Sequence, residues 1–519
     1  MTFTSVGYAL FLAAAAVLYY VLPRRAQNGV LLLASLVFYC FALPAEGALW
    51  RRLLPLLVLA ACCVFTYFLA QAIAAAPAGG ARRRGLLAAG VCVCIGVLAF
   101  FKYFNYAVPS LLGAALSDAA KLSLPVGISF YTFAVVSYLV DVYRGDMPAS
   151  RDFVAFAAFV TFFATITSGP ICRAQKLLPQ LAAPRAFDAQ RTCDALRLAL
   201  LGFFRQIAVA NIIGLYVNQI FASPAALASY SGLTLIFAAC MYALELYFEF
   251  AGYSDVARAS ALLLGLDVPV NFKTPYFSTN FSGFWSRWHI SLSAWLNDYI
   301  FMPLVWGRWT SHIPVLGRRV QKPPMISSLI VLFFLSGLWH GNTWPFVVWG
   351  LLQAAYRVGE ELLHRFYKKP VKKPKLPLRI FKTAGVFVLW TASLVFFRIG
   401  LVKDGSVHDC FAFLGRQFTG LSLSAFAAET SAAVQAGFYT KPFMVALYFA
   451  YLLFVLCIAF YTDWLQCFRY HDAPVCEALA RRKPAVRWLC YYLFIGCVLA
   501  AFIMQSGGFG TVSFAYANF

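Results

Sequence analysis

Stretches of about twenty apolar residues, each long enough to cross a hydrocarbon core ~30 Å thick, recur from one end of this chain to the other. They lie near 6–22, 29–44, 53–76, 85–108, 195–221, 232–250, 326–352, 380–400, 442–462 and 487–505. Two shorter runs, 124–143 and 153–171, are interrupted by Gly and Pro and are expected to span or to re-enter. With 62% hydrophobic side chains, 12% charged ones and a mean hydropathy of +0.74 over 519 residues, a soluble globule is excluded. The expectation is an all-α, polytopic integral membrane protein of about 10–12 transmembrane or re-entrant helices. The run from Val6 to Leu22 has no basic leader before it and no small-residue cleavage site after it, so it reads as a retained helix.

The formal charge of +22 would suggest nucleic acid in a soluble protein. Here the Lys and Arg gather between apolar runs, where cytoplasmic loops of membrane proteins collect them. Arg24-Arg25, Arg82-Arg83-Arg84 and Arg481-Arg482-Lys483 mark cytoplasmic ends, and residues 355–383 carry nine Lys or Arg against two Glu. Arg51-Arg52 falls on the opposite side and would have to snorkel. The connection from Leu401 to Lys441, with three basic and three acidic residues, is assigned to the far side. The fourteen cysteines show no metal-ligand spacing, and Cys62-Cys63 and Cys92-Val93-Cys94 sit inside apolar runs as small hydrophobes.

Packing alone does not explain the stretch from Glu245 to Gly350. Glu245 and Glu249 are four apart, so both point from one side of a helix. An unpaired carboxylate in hydrocarbon costs about 2.5–3.5 kcal/mol on insertion scales, so the two should face protein or water, pairing with Arg258, Arg205 or Lys273 or binding something. Next comes Phe284-Trp285-Ser286-Arg287-Trp288-His289-Ile290-Ser291-Leu292-Ser293, and then Leu335-Ser336-Gly337-Leu338-Trp339-His340-Gly341. Two of the six histidines directly follow a tryptophan here. A buried neutral imidazole accepts a proton. His340 has Trp339 as an apolar wall on one side and Gly341, with no side chain to block approach, on the other. That suits a general base which removes a hydroxyl proton as the oxygen attacks a carbonyl. His289, with Arg287 two positions before it, could orient the reacting groups or stabilise developing charge. Spacing alone equally allows a hydrogen-bonded structural histidine.

RWHISLS and LSGLWHG, preceded by LYFEFAGYSD, NFKTPYFSTNFSGFW and far upstream by LPVGISFYTFAVVSYLVDVYRG, resemble the membrane-bound O-acyltransferase family. Within it the chain is similar to the bacterial branch of alginate and peptidoglycan O-acetyltransferase membrane subunits and teichoic-acid D-alanyl transfer proteins. The resemblance covers roughly residues 100–360. It implies a ring of helices around a thin centre with funnels from both faces, and one membrane domain: N-terminal helices to residue 110, a catalytic core over 111–360, and C-terminal helices over 361–519. It implies His340 as catalytic base and His289 as a second essential histidine, with Arg287, Asp298, Trp339 and Glu249 at the substrates. It further implies acetyl-coenzyme A or another acyl thioester as donor substrate, no bound cofactor or metal, and a hydroxyl of an exported envelope glycan as acceptor. An extracytoplasmic partner of the SGNH or esterase type and a multi-pass place in the bacterial inner membrane go with it. Arg308, Arg318, Arg319 and Lys322 could meet coenzyme phosphates or form a solvated loop.

The sequence departs from alginate-type relatives after RWHISLS. Asn297 replaces an arginine, paired glycines are missing around Met302–Trp306, and the aromatic end Phe514–Phe519 matches only in part. The resemblance therefore implies an envelope glycan without specifying alginate. Broken helices and buried carboxylates would also suit a transporter or flippase with Glu245 and Glu249 as its coupling site. A scaffold that merely recruits an enzyme would leave both histidines dispensable.

Overall fold

The computed structural model describes residues 2–43, 48–112, 121–306, 325–366, 375–437 and 442–506. The regular structure among these residues is all helix, with no strand. They divide into two compact units, Met1–Ala199 with Ser254–Val270, and Leu200–Tyr253 with Asn271–Phe519. The divisions thus fall at 199, 253 and 270, inside the stretch 111–360.

The first unit contains α1 (Val6–Val21), α2 (Gln27–Cys40), α3 (Leu49–Ala75), α4 (Ala81–Leu112), α5 (Ile128–Arg144), α6 (Phe153–Thr161), α7 (Ala174–Ala182) and the start of α8 (Ala189–Phe203). Pro125 and Gly127 break the chain before α5 as the sequence predicts. Gly127 is left-handed (φ 73°) and caps the helix, and a Cβ there would run into the Ile166 carbonyl, so only glycine fits. From Ile128 to Leu139 every residue of α5 is buried, which places a near-continuous apolar run at the centre of this unit. α6 ends at Phe162, where the backbone turns extended, so the run 153–171 does not cross a bilayer as one helix. Polar clasps hold the edges: Tyr8 and Ser260 hydroxyls lie 2.7 Å apart, and Gln27 Nε2 donates to the Arg185 carbonyl at 2.9 Å.

The second unit contains α9 (Asn211–Ile220), most of α10 (Gly232–Leu263), α11 (Phe281–Trp285), α12 (Ile290–Leu296), α13 (Met325–His340), α14 (Trp344–Phe366), α15 (Leu376–Leu401), α16 (Leu423–Gly437), α17 (Pro442–Trp464) and α18 (Pro484–Ser506). Residues Phe204–Ala210 and Leu465–Arg469 are wound as π-helix, a form concentrated at functional sites. The first of these carries Arg205, which is buried and pairs with Asp463 at 2.7 Å, while the Tyr247 hydroxyl donates to the other oxygen of Asp463 at 2.7 Å. Glu429 on α16 accepts from the Ser231 amide (2.9 Å) and hydroxyl (2.8 Å) and from the Thr234 hydroxyl (2.7 Å), so a carboxylate covers the exposed amides at the start of α10.

Among the described residues seven helices are long and apolar enough to cross a membrane, and three shorter apolar helices accompany them, in keeping with a polytopic membrane protein. The seven are Leu49–Ala75, Ala81–Pro109, Ala189–Ile220, Gly232–Leu263, Leu376–Leu401, Phe443–Arg469 and Pro484–Gln505. Several of the apolar runs form elements too short to span. The runs near 6–22 and 29–44 form helices of 16 and 14 residues, shorter than the roughly 20 that span the hydrocarbon. The run 326–352 is not one helix but two, α13 and α14, folded back on each other around Gly341–Thr343. At their crossing a Cβ on Gly337 would sit 2.6 Å from the Phe346 carbonyl oxygen and 3.3 Å from the Gly350 Cα. Only glycine lets the two backbones approach this closely.

Candidate active site

The hairpin of α13 and α14 places His340 at the last residue of α13, at the turn, where it is 3% exposed. Its ring meets Trp339 (centroids 4.6 Å apart), Trp349 of α14 (4.9 Å) and Phe397 of α15 (5.1 Å). Gly341 does not leave an open approach, contrary to the sequence reading. The Phe346 ring occupies the place its Cβ would take, so this glycine is required by packing.

His289 is reached by different means. Asn271 and Lys273 on one segment face Arg287 and Ile290 on the other: the Lys273 amide donates to the Arg287 carbonyl at 3.0 Å, and the Ile290 amide to the Asn271 carbonyl at 2.9 Å. Asn271 Oδ1 also accepts from the Ser291 amide (3.2 Å) and hydroxyl (2.6 Å), which starts α12. Where this pairing turns, Thr274 (φ 48°) and His289 (φ 43°) both adopt the left-handed conformation. It costs an L-residue about 1–2 kcal/mol, and most for a β-branched one. The surrounding hydrogen bonds hold both residues there, a pattern of stored strain that clusters at functional sites.

The His289 imidazole is 1% exposed, packed edge-on against Phe250 (4.7 Å) and within 6.4 Å of Trp339. The Trp339 indole, 8% exposed, thus touches both histidine rings. Neither His289 nitrogen has a hydrogen-bond partner on another residue among the described residues. Burial pushes its pKa down to about 3, so the ring is a neutral imidazole near pH 7. A buried nitrogen left without a partner costs stability, and an orphan of this kind needs an explanation such as a catalytic role. Trp349 and Trp285 add two more, since each has a buried indole N–H without a partner among the described residues. Sequence reasoning passed over both.

The other predicted residues divide. Arg287 is committed: its two Nη atoms bind both oxygens of Asp472 at 2.7 and 2.9 Å, and Nη1 also reaches the Lys273 carbonyl (2.9 Å) and Thr274 Oγ1 (3.3 Å). That makes it a clamp on the strained turn instead of a free cation for developing charge. Asp298 lies one residue past Asn297, which donates to it at 2.8 Å, on a short π-helical stretch. Glu249 is 5% exposed on α10. One helical turn earlier Glu245 is 6% exposed, and its Oε2 has no hydrogen-bond partner among the described residues. Of the cations expected near the two glutamates, Arg205 binds Asp463 and Arg258 lies 3.8 Å from Asp255. Arg308, Arg318, Arg319 and Lys322 lie outside the described residues, as do Lys368, Lys369, Lys372, Lys373 and Phe514–Phe519.

A cavity of about 290 Å³ is lined among others by Trp285, Ser293, Asn297, Phe333, Ser336 and Arg357. Ser336 is one helical turn before His340, and Ser293 one turn after His289. Two rings separate the cavity from the His340 imidazole: Trp285 meets Trp349 at 6.3 Å, and Trp349 meets His340. Neither histidine lines it.

The model of the membrane-bound O-acyltransferase family matches residues 147–402, a span that holds both histidines. A protein named "Probable alginate O-acetylase" from Azotobacter vinelandii is 35% identical over 390 residues, covering 73% of this chain and 72% of the relative. This chain belongs to the membrane-bound O-acyltransferase family. A protein of the same name from Pseudomonas aeruginosa is 35% identical, and its alignment covers 66% of this chain and 62% of that relative's length. A peptidoglycan O-acetyltransferase of Helicobacter pylori is 29% identical over 73% of each chain. A teichoic acid D-alanyltransferase of Streptococcus thermophilus is 28% identical over 55% of this chain and 69% of the relative. Family membership and the seven apolar helices make the protein a multi-pass acyltransferase of the bacterial inner membrane.

Proposed function

We propose that this acyltransferase moves an acetyl group from cytoplasmic acetyl-coenzyme A to a hydroxyl of an exported envelope glycan, directly or through an extracytoplasmic SGNH-type partner. The observation that carries the reading is the pair of buried imidazoles on one indole, with both nitrogens of His289 left unbonded by neighbouring residues. The similarity to proteins named for O-acetylation of alginate and peptidoglycan supports the acetyl group and the glycan.

In the reaction, His340 accepts the proton of the acceptor hydroxyl as its oxygen bonds to the thioester carbonyl carbon. The tetrahedral intermediate then expels the thiolate, which takes the proton back from the imidazolium, so the step is balanced and the base restored. The Trp349 N–H, beside His340 and otherwise unsatisfied, supplies a donor for the oxyanion. The cavity bounded by Ser336 and Ser293 takes the acyl thioester; Arg357 at its wall is ion-paired with Glu360 and shapes the cavity through that pair. The Trp285–Trp349 partition must turn aside for the acyl end to reach the ring.

The test is glycan O-acetylation in cells carrying His340→Ala, with abundance and membrane insertion measured alongside. Loss of acetylation at unchanged abundance is expected. Acetylation at the wild-type level would overturn the assignment. Purified protein supplied with a glycan acceptor should also release free thiol from acetyl-coenzyme A, and transport without thiol release would refute acyl transfer.

A further inference from the structure

We infer that Asp472, beyond the end of the matched family span, is a positioning residue for His289 and acts through Arg287. The inference rests on His289 being the second essential histidine, which orients the reacting groups beside His340. Two carboxylate oxygens meet two guanidinium nitrogens at 2.7 and 2.9 Å, the bidentate fork that fixes direction as well as distance. The same guanidinium holds the Lys273 carbonyl and Thr274 Oγ1, while the Lys273 amide returns a bond to the Arg287 carbonyl. Arg287 is thereby tied at both its side chain and its backbone to the segment that ends in left-handed Thr274. It stands two residues before left-handed His289.

Asp472 is itself fixed in place. Its amide donates to the Gln466 carbonyl at 2.8 Å and the Tyr470 amide to the Leu465 carbonyl at 2.9 Å, closing the π-helical end of α17. His471 and Asp472 are both left-handed (φ 49° and 69°), so this loop too holds an unfavourable backbone that delivers the carboxylate. The clasp therefore joins two strained turns, and one of them carries an imidazole whose nitrogens no neighbour orients. With no hydrogen bond from another residue on the ring, the backbone turn sets the ring direction, and Arg287 with Asp472 helps to keep that turn. The Arg287–Asp472 pair is about a quarter exposed on each side, so its value lies in geometry more than in stability.

The test uses the purified full-length protein, a glycan acceptor, and thiol release from acetyl-coenzyme A. Asp472→Ala is expected to lower kcat about ten- to hundredfold, the scale for a misplaced reacting group, with KM for acetyl-coenzyme A and the melting temperature near those of the wild type. Asp472→Glu, which keeps the fork, should restore most of the rate, and Asp472→Asn should restore less. Adding Asp472→Ala to His289→Ala should cause no further loss, because both changes act on one group. Full activity in Asp472→Ala, while His289→Ala is inactive, would overturn the inference and leave the reaction intact. Independent, multiplying losses would assign Asp472 a merely structural role and also overturn it. Full activity in His289→Ala would instead refute the reading on which it rests.

Discussion

Gly337→Ala adds one methyl group at the crossing of α13 and α14, three residues before His340. The new Cβ would lie 2.6 Å from the Phe346 carbonyl oxygen and 3.3 Å from the Gly350 Cα. Both are backbone atoms, so no side chain can swing away. Ordinary contact begins near 3.4 Å, and the helices must part by roughly 0.8 Å, an overpacking strain of about 1–3 kcal/mol. Replacing glycine in a helix interior returns about 1 kcal/mol of propensity. The net stability change is therefore modest, while the displacement at His340 is of the size that costs up to about a hundredfold in rate. Gly359→Ala on α14 is the control, since its Cβ meets nothing within 4 Å and it gains the propensity alone. The assay is thiol release from acetyl-coenzyme A with a glycan acceptor present, alongside thermal unfolding of both variants. Gly337→Ala should lose at least tenfold in turnover with a small change in melting temperature, and Gly359→Ala should lose nothing. Wild-type turnover in Gly337→Ala would refute the claim that this close approach sets the position of His340.

Three further outcomes are expected. Trp349→Phe keeps an aromatic ring against His340 but deletes the unsatisfied N–H, so kcat should fall by about 10²-fold if it is the oxyanion donor; an unchanged kcat in single-turnover measurements would remove it from that role. Asn271→Ala removes the Oδ1 that accepts from the Ser291 amide and hydroxyl and should destabilise the protein by about 1–3 kcal/mol, read as a lowered unfolding temperature. Burial works to raise the Glu429 pKa, but the Thr234 and Ser231 donors outweigh it and hold it below the usual carboxylate range. Its contribution to stability is therefore present above the unfolded value and is lost as pH falls through the lower folded one. Glu429→Gln should flatten the acid side of the stability profile, and an unaltered profile would exclude the linkage.

The sequence made helix type legible, because apolar runs of bilayer length leave few alternatives. It also drew attention to both histidines, each directly following a tryptophan, and the structure buries both rings against Trp339. It did not reveal that 326–352 folds back on itself. Gly337, Gly341 and Gly350 carry that information, but a glycine in a membrane helix reads alike whether it faces lipid or another backbone. Arg287 was legible as a charge near a histidine, yet its partner Asp472 is remote in sequence and no periodicity connects the two. Trp285 and Trp349 were hidden for a related reason: an indole N–H signals function only when its surroundings leave it unbonded.

The two imidazoles are held in unlike ways, and this separates what each substitution should do. His340 rides on the end of a helix whose position is set by backbone contact, so added volume at Gly337 or Gly350 displaces it and leaves the turn at His289 alone. His289 rides on a strained turn kept by Asn271, Arg287 and Asp472, so deleting polar partners releases it while the hairpin stays packed. Trp339 touches both rings and is the place where the two supports meet. Trp339→Ala should therefore couple to changes on either side, with double-mutant energies beyond additivity against both Gly337→Ala and Asp472→Ala. Gly337→Ala and Asp472→Ala, which share no contact, should combine additively in thermal stability. Strong coupling between those last two in the presence of Trp339 would show that the supports are one packed body and not two.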